Sequence, residues 1–455
     1  MTIHRISDAV FDAALDLTRD WCAIPSVKGD ERQLNRQADA VTDWLKEELG
    51  ATIVSAVSSR ARPPVLHGRV DIGARTTVIL YNMYDVMPAT PEGWSMDPFK
   101  GGIVDLPGIG KSFVARGAEN NKGPLAGMLH AIKARADTGR LRVNVEILID
   151  GEEESGSGAM RDYLADPACP LRQSVSAIFP SFCEYGGGPP RVYLGFSGIA
   201  KGEVRVEGGA WGGPKAAIHS SNAPWIANSA SRLVEALSLF GKPPTGELAK
   251  IAIDDQAAGI IATLAATFDP DAELRFRRAE TFSLEGDARR LLDHVLSTTS
   301  FNISSLESMP LGADGVIPYG ARAGFELRTP PSLDPAHFLA EYRSALDATP
   351  GAVLNVADSY PGFRFSADTP GVAALLKSYQ TTAIAAPQIW PWAIGAAPAY
   401  AFVPHAKSFL LAGAGRGGNA HGVDEFMTLE GFRRFIDSIA LWLDFVADEA
   451  EAETP

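Results

Sequence analysis

The 455-residue sequence has few cysteines, no long apolar run and no excess of positive charge. Its three cysteines, Cys22, Cys169 and Cys183, are too few and too scattered for a disulfide framework or a thiolate zinc site. Because no run of about 18 apolar residues occurs, we predict no membrane-spanning helix. The formal net charge of −14 disfavours nucleic acid and anionic membranes as partners. Together these absences predict a cytoplasmic protein.

Short apolar runs alternate with helical patterns over the first 200 residues. TTVILYNMYDV (76–86) and LRVNVEILIDGEEE (141–154) are apolar runs that end in polar residues, and the segment between them has apolar residues at helical spacing. This alternation is typical of a largely parallel sheet covered on both faces. In such sheets the catalytic and ligand-binding residues lie beyond the carboxyl ends of the strands. Asp85 and the glutamates at 152–154 stand at two of those ends.

The pattern changes near residue 199 and returns near residue 367. The intervening segment combines half-exposed strands with amphipathic helices, as in a small α+β layer. A chain of this length also exceeds what one core usually holds. We therefore predict a large α/β domain with a mixed, mostly parallel sheet, formed by residues 1–198 and 367–455. A smaller α+β lid domain, residues 199–366, interrupts it.

The strongest local signal is LIDGEEESGSGAM at 148–160. Three adjacent carboxylates do not ionise together at close range unless a cation is near or a pKa is raised. A solvated acidic turn is the plain alternative. The flanking Gly151, Gly156 and Ser157 indicate a tight, specific turn, which favours a functional site.

Two further segments gain weight from their order along the chain. ARGAENNKGPLAGM (115–128) is a glycine-containing loop that leads into a helix, and GNAHGVDEF (418–426) places His421 in a glycine-rich loop. Taken singly, the first is also typical of an ordinary helix start and the second of a surface loop.

With YNMYDVMPATPEGWSMDPFKGGI, GEEESGS and RVYLGFSGIAKGEVRV, these segments resemble the co-catalytic zinc peptidase family. That family includes carnosinases, glutamate carboxypeptidases, acetylornithine deacetylases and succinyl-diaminopimelate desuccinylases. The resemblance spans nearly the whole chain. It implies a metal-binding α/β domain with a small lid domain, which often forms a homodimer contact.

The resemblance also implies which positions would hold metal. Three of the five ligand places are substituted: Met83 stands for a histidine, Asn120 for the bridging aspartate and Ser181 for an aspartate or glutamate. Glu154 and His421 keep the family's residue types. Thioether and hydroxyl groups are poor zinc ligands. We therefore predict either no cofactor or a single divalent metal, zinc in the first place, held by Glu154 and His421 with Asn120 as a weak ligand.

A shift of register by one or two residues would supply replacements for the lost ligands. Glu119 precedes Asn120, and Cys183 and Glu184 follow Ser181. Without such a shift these three are ordinary loop residues, and the sequence leaves both alternatives open.

The catalytic and substrate-binding residues are likewise implied by the resemblance. Glu153 matches the position of the family's general base, and His219 matches a lid histidine that holds a carbonyl or oxyanion. Asn302 and Arg328 match lid positions that grip the substrate carboxylate and backbone. The predicted catalytic set is Glu153, Glu154 and His219, and the predicted substrate-binding set is His219, Asn302, Arg328, Asn120, Ser181 and Met83.

Three functions follow, in order of preference. The first is a metallopeptidase-like hydrolase of an amide bond in a small carboxylate-bearing substrate, of the dipeptide or N-acyl amino acid type, with at most one metal. The second is a metal-independent acid/base enzyme (isomerase or epimerase, cyclase, lyase or unassisted hydrolase) that uses Glu153 and Glu154. The third is a non-catalytic binding homologue. We expect a homodimer through the lid domain, and neither nucleic acid nor membrane as a partner.

Overall fold

A computed structural model of the chain describes residues 5–57, 62–241 and 247–452. Within these residues the helices are α1 (Asp8–Cys22), α2 (Glu31–Glu47), α3 (Lys122–Asp137), α4 (Gly158–Ala165), α5 (Ser229–Ser238), α6 (Asp255–Ala265), α7 (Pro270–Arg277), α8 (Ala288–Ser297), α9 (Pro335–Leu346), α10 (Val372–Thr382) and α11 (Leu429–Ala452). The strands are β1 (Thr52–Val57), β2 (Val65–Val70), β3 (Thr77–Met83), β4 (Gly102–Leu106), β5 (Gly110–Val114), β6 (Asn144–Asp150), β7 (Ser176–Pro180), β8 (Arg191–Tyr193), β9 (Gly195–Phe196), β10 (Gly198–Glu207), β11 (Ile218–His219), β12 (Glu247–Lys250), β13 (Thr298–Met309), β14 (Val316–Ile317), β15 (Gly320–Thr329), β16 (Ala352–Tyr360), β17 (Phe363–Arg364), β18 (Gln388–Trp390), β19 (Phe409–Ala412), β20 (Gly417–Gly418) and β21 (Phe426–Thr428).

The larger sheet has the order β1-β2-β6-β3-β7-β19-β8-β18 within the described residues. Its central strands β6, β3, β7 and β19 run parallel, while β1, β2 and the β19–β8 pair are antiparallel. Every residue of β3 and β6 is buried, because helices cover both faces. The predicted fold class, a mixed α/β sheet with a smaller α+β unit, is confirmed.

Alternate residues of β3 enter two different apolar clusters, as the two-residue period of a strand requires. Val78 and Leu80 pack with α3, α10 and α11, whereas Ile79 and Tyr81 face the opposite cluster. That second cluster also contains residues of α6 and α8, so these two helices pack against the larger sheet.

A five-stranded antiparallel sheet, β12-β13-β15-β10-β16, forms the smaller unit. Helices α5 and α9 pack on it around Leu237, Phe325 and Tyr342. The boundaries 1–198, 199–366 and 367–455 stay a prediction. None of the helices in the described part of the chain combines the length and the apolar character that crossing a bilayer requires.

Candidate active site

The polar residues after β3, β6 and β7 meet at one edge of the larger sheet. Asp85 lies two residues beyond β3, Glu153 and Glu154 form a short 3-10 turn after β6, and Ser181 directly follows β7. Since these strands are parallel neighbours, their carboxyl ends share that edge.

Asp85 is fully buried and fixes the acidic turn. Its two carboxylate oxygens accept hydrogen bonds from the backbone N–H groups of Glu153 and Glu154, each at 3.1 Å. Burial, and then the charges of Asp150 and Glu154, raise the pKa of Asp85. The carboxylate therefore orients the turn.

The loop that carries Asn120 is tied to the strand ends by two buried amides. Asn121 Nδ2 donates to Asn82 Oδ1 at 3.0 Å and to the carbonyl oxygen of Pro180 at 3.2 Å. Asn82 Nδ2 donates to the same carbonyl. These bonds fix Asn120 against the ends of β3 and β7.

A second anchor, which the sequence did not reveal, is the pair Glu425 and Arg116. Glu425 Oε1 accepts the backbone N–H groups of Gly117, Glu119 and Asn120 at 2.8–3.0 Å, and Oε2 accepts from Arg116. The Arg116 guanidinium also donates to the carbonyl oxygen of His421 at 3.1 Å. The two loops are thereby held together, and the signal for this in the sequence was only an acid four residues after the histidine.

Asn120, Glu154 and His421 form a tight triangle. Asn120 Nδ2 lies 2.7 Å from Glu154 Oε1 and 2.9 Å from His421 Nε2, and the last two atoms are 3.1 Å apart. The hydrogen bond to Glu154 is the main cause that raises the pKa of His421. His421 has φ 63°, a left-handed conformation that costs a non-glycine residue free energy and is frequent at functional sites.

Glu153 lies close to the carboxyl groups of Glu154 and Asp85. Burial is the largest cause that raises its pKa, followed by the charges of Glu154 and Asp85, and Lys201 acts in the opposite direction. The crowded carboxyls that the acidic motif predicted are thus present at the sheet edge.

Glu153, Asn120 and His421 line a cavity of about 330 Å³. Its walls also contain Glu119, Ser181, five aromatic side chains and two arginines: Phe179, Tyr185, Tyr193, Phe196, Phe276, Arg191 and Arg277. Glu273 forms ion pairs with both arginines. A larger cavity, of about 480 Å³, lies on the Asp85 and Glu152 side of the turn. Because it touches neither Glu153 nor His421, we place the chemistry in the smaller one.

Of the substituted and alternative ligand positions, some line the cavity and others are buried elsewhere. Met83 is 1% exposed and packs in the second apolar cluster, so it does not line the cavity. Glu184 is buried in an ion pair with Arg434, and burial raises the pKa of the Cys183 thiol. Glu119 does line the cavity, and burial, Glu425 and Glu154 raise its pKa to about 8.

The predicted lid residues lie on strands β11, β13 and β15. His219 is exposed on β11, and its Nδ1 is 2.9 Å from Ser221 Oγ. Asn302 is exposed on β13, and Arg328 on β15 faces Glu326 at 3.3 Å. Among the hydrogen bonds and ion pairs of the described residues, none joins these three to Glu153, Glu154 or His421. Within those same residues, no group of three or more His, Cys, Asp or Glu side chains is arranged to hold a metal ion.

The chain belongs to Peptidase family M20/M25/M40, whose sequence pattern matches residues 79–445. This assignment agrees with the resemblance that the motifs indicated. The chain is 29% identical over 283 residues to the Cys-Gly metallodipeptidase of Schizosaccharomyces pombe, a match that covers 60% of this chain and 57% of that protein. The chain therefore spans a little over half the length of that relative.

Other similarities point the same way. The human Beta-Ala-His dipeptidase is 32% identical over 181 residues, which is 36% of this chain and 34% of that protein. Among solved structures, an M20 family metallo-carboxypeptidase from Sulfolobus solfataricus superposes with a TM-score of 0.83 at 23% identity. That superposition covers 96% of this chain and 99% of the other. At this identity the likeness shows the fold.

Proposed function

We propose that the protein hydrolyses an amide bond in a small substrate that carries a carboxylate, with at most one divalent metal. The observation that supports this most is the triangle of Asn120, Glu154 and His421, because two of its members, Asn120 and His421, line one cavity together with Glu153. The dipeptidase names of the relatives add support for the substrate class.

The donor set at the triangle suits one divalent ion and no more. Glu154 supplies a carboxylate oxygen, His421 an imidazole nitrogen, and Asn120 an amide oxygen if the amide is turned over. A second ion would need anionic ligands, but Met83 is core, Ser181 is neutral and Asp85 uses both oxygens on backbone N–H groups. A zinc ion bound there would polarise the substrate carbonyl.

The chain's own residues perform the remaining tasks. Glu153 takes a proton from the attacking water and returns it to the departing nitrogen, since it stands in the cavity beside the triangle. Arg277 meets the substrate carboxylate, because Glu273 carries one negative charge against two guanidinium groups. The predicted roles of His219, Asn302 and Arg328 require the lid to bring those side chains to the cavity.

One observation favours a second candidate, the metal-independent acid/base enzyme. Asn120 Nδ2 hydrogen bonds directly to Glu154 and His421, so the two ligand groups are satisfied without a cation. Glu153 and Glu154 would then share a proton and act as an acid/base pair.

Elemental analysis of the purified protein, next to dipeptide hydrolysis assayed with and without a chelator, separates these functions. We expect at most one equivalent of metal per chain and turnover of the dipeptide that the chelator abolishes. Turnover that survives the chelator supports the second candidate, and two equivalents of metal contradict both. Localisation in the cytoplasm and a lid-mediated homodimer stay predictions.

A further inference from the structure

Glu119 is a buried acid that lacks a protein partner for its carboxyl group. The residue is 8% exposed and lines the cavity of about 330 Å³. Its backbone N–H donates to Glu425, but in the part of the chain that the structure describes its carboxyl group forms no hydrogen bond and no ion pair. Burial without a partner disfavours the charged form of this carboxyl group, and a ligand that supplies a hydrogen-bond donor or a positive charge would offset that cost.

The Glu119 side chain packs closely against Gly417. A Cβ atom on residue 417 would lie 2.3 Å from Glu119 Cγ, so glycine is required there. The same added atom would lie 3.0 Å from the Phe182 ring. The Glu119 side chain therefore packs closely on the backbone of Gly417, and the residue lines the cavity.

The cationic groups of the cavity are directed elsewhere. Arg191 and Arg277 both pair with Glu273, and Arg191 also lies over the rings of Tyr185 and Trp390 at 5.0 and 4.7 Å. Neither arginine forms an ion pair with Glu119 in the described residues, so a cationic group of the ligand can take this place. Tyr193 and Phe276 also line this cavity, and the faces of aromatic rings attract ammonium groups.

We propose that Glu119 binds a free ammonium group of the substrate. The substrate is then an unblocked dipeptide or aminoacyl amide rather than an N-acyl amino acid. Its ammonium group meets Glu119, and its carboxylate meets the surplus positive charge at Arg277. This assignment rests on the proposed hydrolytic function and narrows its substrate class.

Two ligands that differ only in the ammonium group provide the test: glycyl-phenylalanine and acetyl-phenylalanine, which share the same amide bond and carboxylate. We expect the wild type to prefer glycyl-phenylalanine by at least about ten-fold in kcat/KM, the effect of one charged hydrogen bond. Glu119→Gln should bring the ratio of the two kcat/KM values close to one. Glu48→Gln, on the exposed end of α2, is the matched control. Circular dichroism and thermal midpoints verify that the variants fold.

Calorimetry in the Glu153→Gln background measures binding without turnover. We expect the added Glu119→Gln change to weaken glycyl-phenylalanine binding about ten-fold and to spare acetyl-phenylalanine. Equal weakening of both ligands, a preference for the acetyl ligand, or binding of neither overturns the proposal. So does a large loss of zinc affinity with an unchanged ligand preference. If neither ligand is hydrolysed, the hydrolytic function fails, and the calorimetric comparison alone decides the role of Glu119.

Discussion

In the proposed mechanism, turnover depends most directly on Glu153. It lines the cavity beside the Asn120–Glu154–His421 triangle, and its backbone is held by Asp85. We expect Glu153→Gln to lower kcat by about 10²- to 10⁴-fold, because the amide cannot accept a proton from water. Steady-state kinetics of the purified variant measure this loss.

The neighbouring Glu152 provides the matched control for that variant. Its carboxylate accepts a hydrogen bond from Ala159 N and so caps α4, a task that glutamine can also perform. Glu152→Gln should therefore keep nearly full activity. An equal loss in both variants would show that the turn, rather than the carboxylate of Glu153, was disturbed.

Asn120 is the uncharged amide of the triangle, and the proposed single-metal site predicts that a carboxylate there strengthens cation binding. Asn120→Asp places a second carboxylate between Glu154 and His421, where a divalent ion would relieve the added repulsion. We expect zinc to bind at least about ten-fold more tightly than to the wild type, measured by calorimetric titration of chelator-treated protein. Asn355→Asp, exposed on β16, is the control, and equal zinc affinity in the two variants would contradict the prediction.

The sequence could indicate the residues of the triangle but not their anchors. Glu154, Asn120 and His421 stand in motifs with recognisable neighbours, and the structure brings them together. Arg116 and Glu425 act across about 300 positions of sequence, where no local pattern records a contact. Arg277 escaped for a related reason, since a charged side chain in a helix is by default solvated, and Glu119 was considered only as a replacement metal ligand.

His130 tests the packing of helix α3. The side chain is 7% exposed, its Nδ1 faces the carbonyl oxygen of Ala126 at 2.9 Å, and its ring packs on Trp44. Burial is the main cause that lowers its pKa below 6.5. The unfolded chain then binds the proton more tightly, so this histidine's contribution to stability is complete above about pH 6.5 and is lost as the pH falls.

Denaturant unfolding between pH 8 and pH 5 measures this effect. We expect the stability of the wild type relative to His130→Gln to decrease below about pH 6.5. His337→Gln, at an exposed position of α9, is the matched control for removing a histidine. A constant difference between the wild type and His130→Gln over this pH range would contradict the prediction.

Element types followed from the sequence where periodicity was strong. The helical pattern at 121–139 became α3, and the apolar run at 76–86 contains β3. The packing partner of an element was harder to foresee. Helices α6 and α8 lie in the segment assigned to the lid, yet their apolar faces join the cluster on the larger sheet, because amphipathicity shows that a face is buried but not against what.

At the scale of the whole molecule, an ion pair joins helix α4, which directly follows the acidic turn, to strand β16 of the smaller sheet. Arg161 of α4 donates to Asp358 of β16 at 2.7 Å and stacks over Tyr360 at 4.8 Å. Both charged side chains are mostly buried. We expect Asp358→Asn to cost roughly 1–2 kcal/mol and to speed hydrogen exchange in α4 and at the end of β16.

Denaturant unfolding measures the loss of stability, and hydrogen-exchange mass spectrometry measures the exchange rates in α4 and β16. Glu207→Gln serves as the comparison, because it removes the solvent-exposed pair with Arg205 inside the smaller sheet. That variant should leave exchange near α4 unchanged. Faster exchange in both variants would mean that the Arg161–Asp358 pair does not hold the two units together.

The placement of α6 and α8 bears on how this protein can be dissected. Splicing residue 198 directly to residue 367 would delete Ile261 and Leu292 from the apolar cluster on the larger sheet, and it would remove Phe268 from the side of Trp390. A truncated enzyme intended to lack its lid should retain both helices, joined by a short linker. Residues 199–366 thus contribute to the core of the larger domain as well as to the lid.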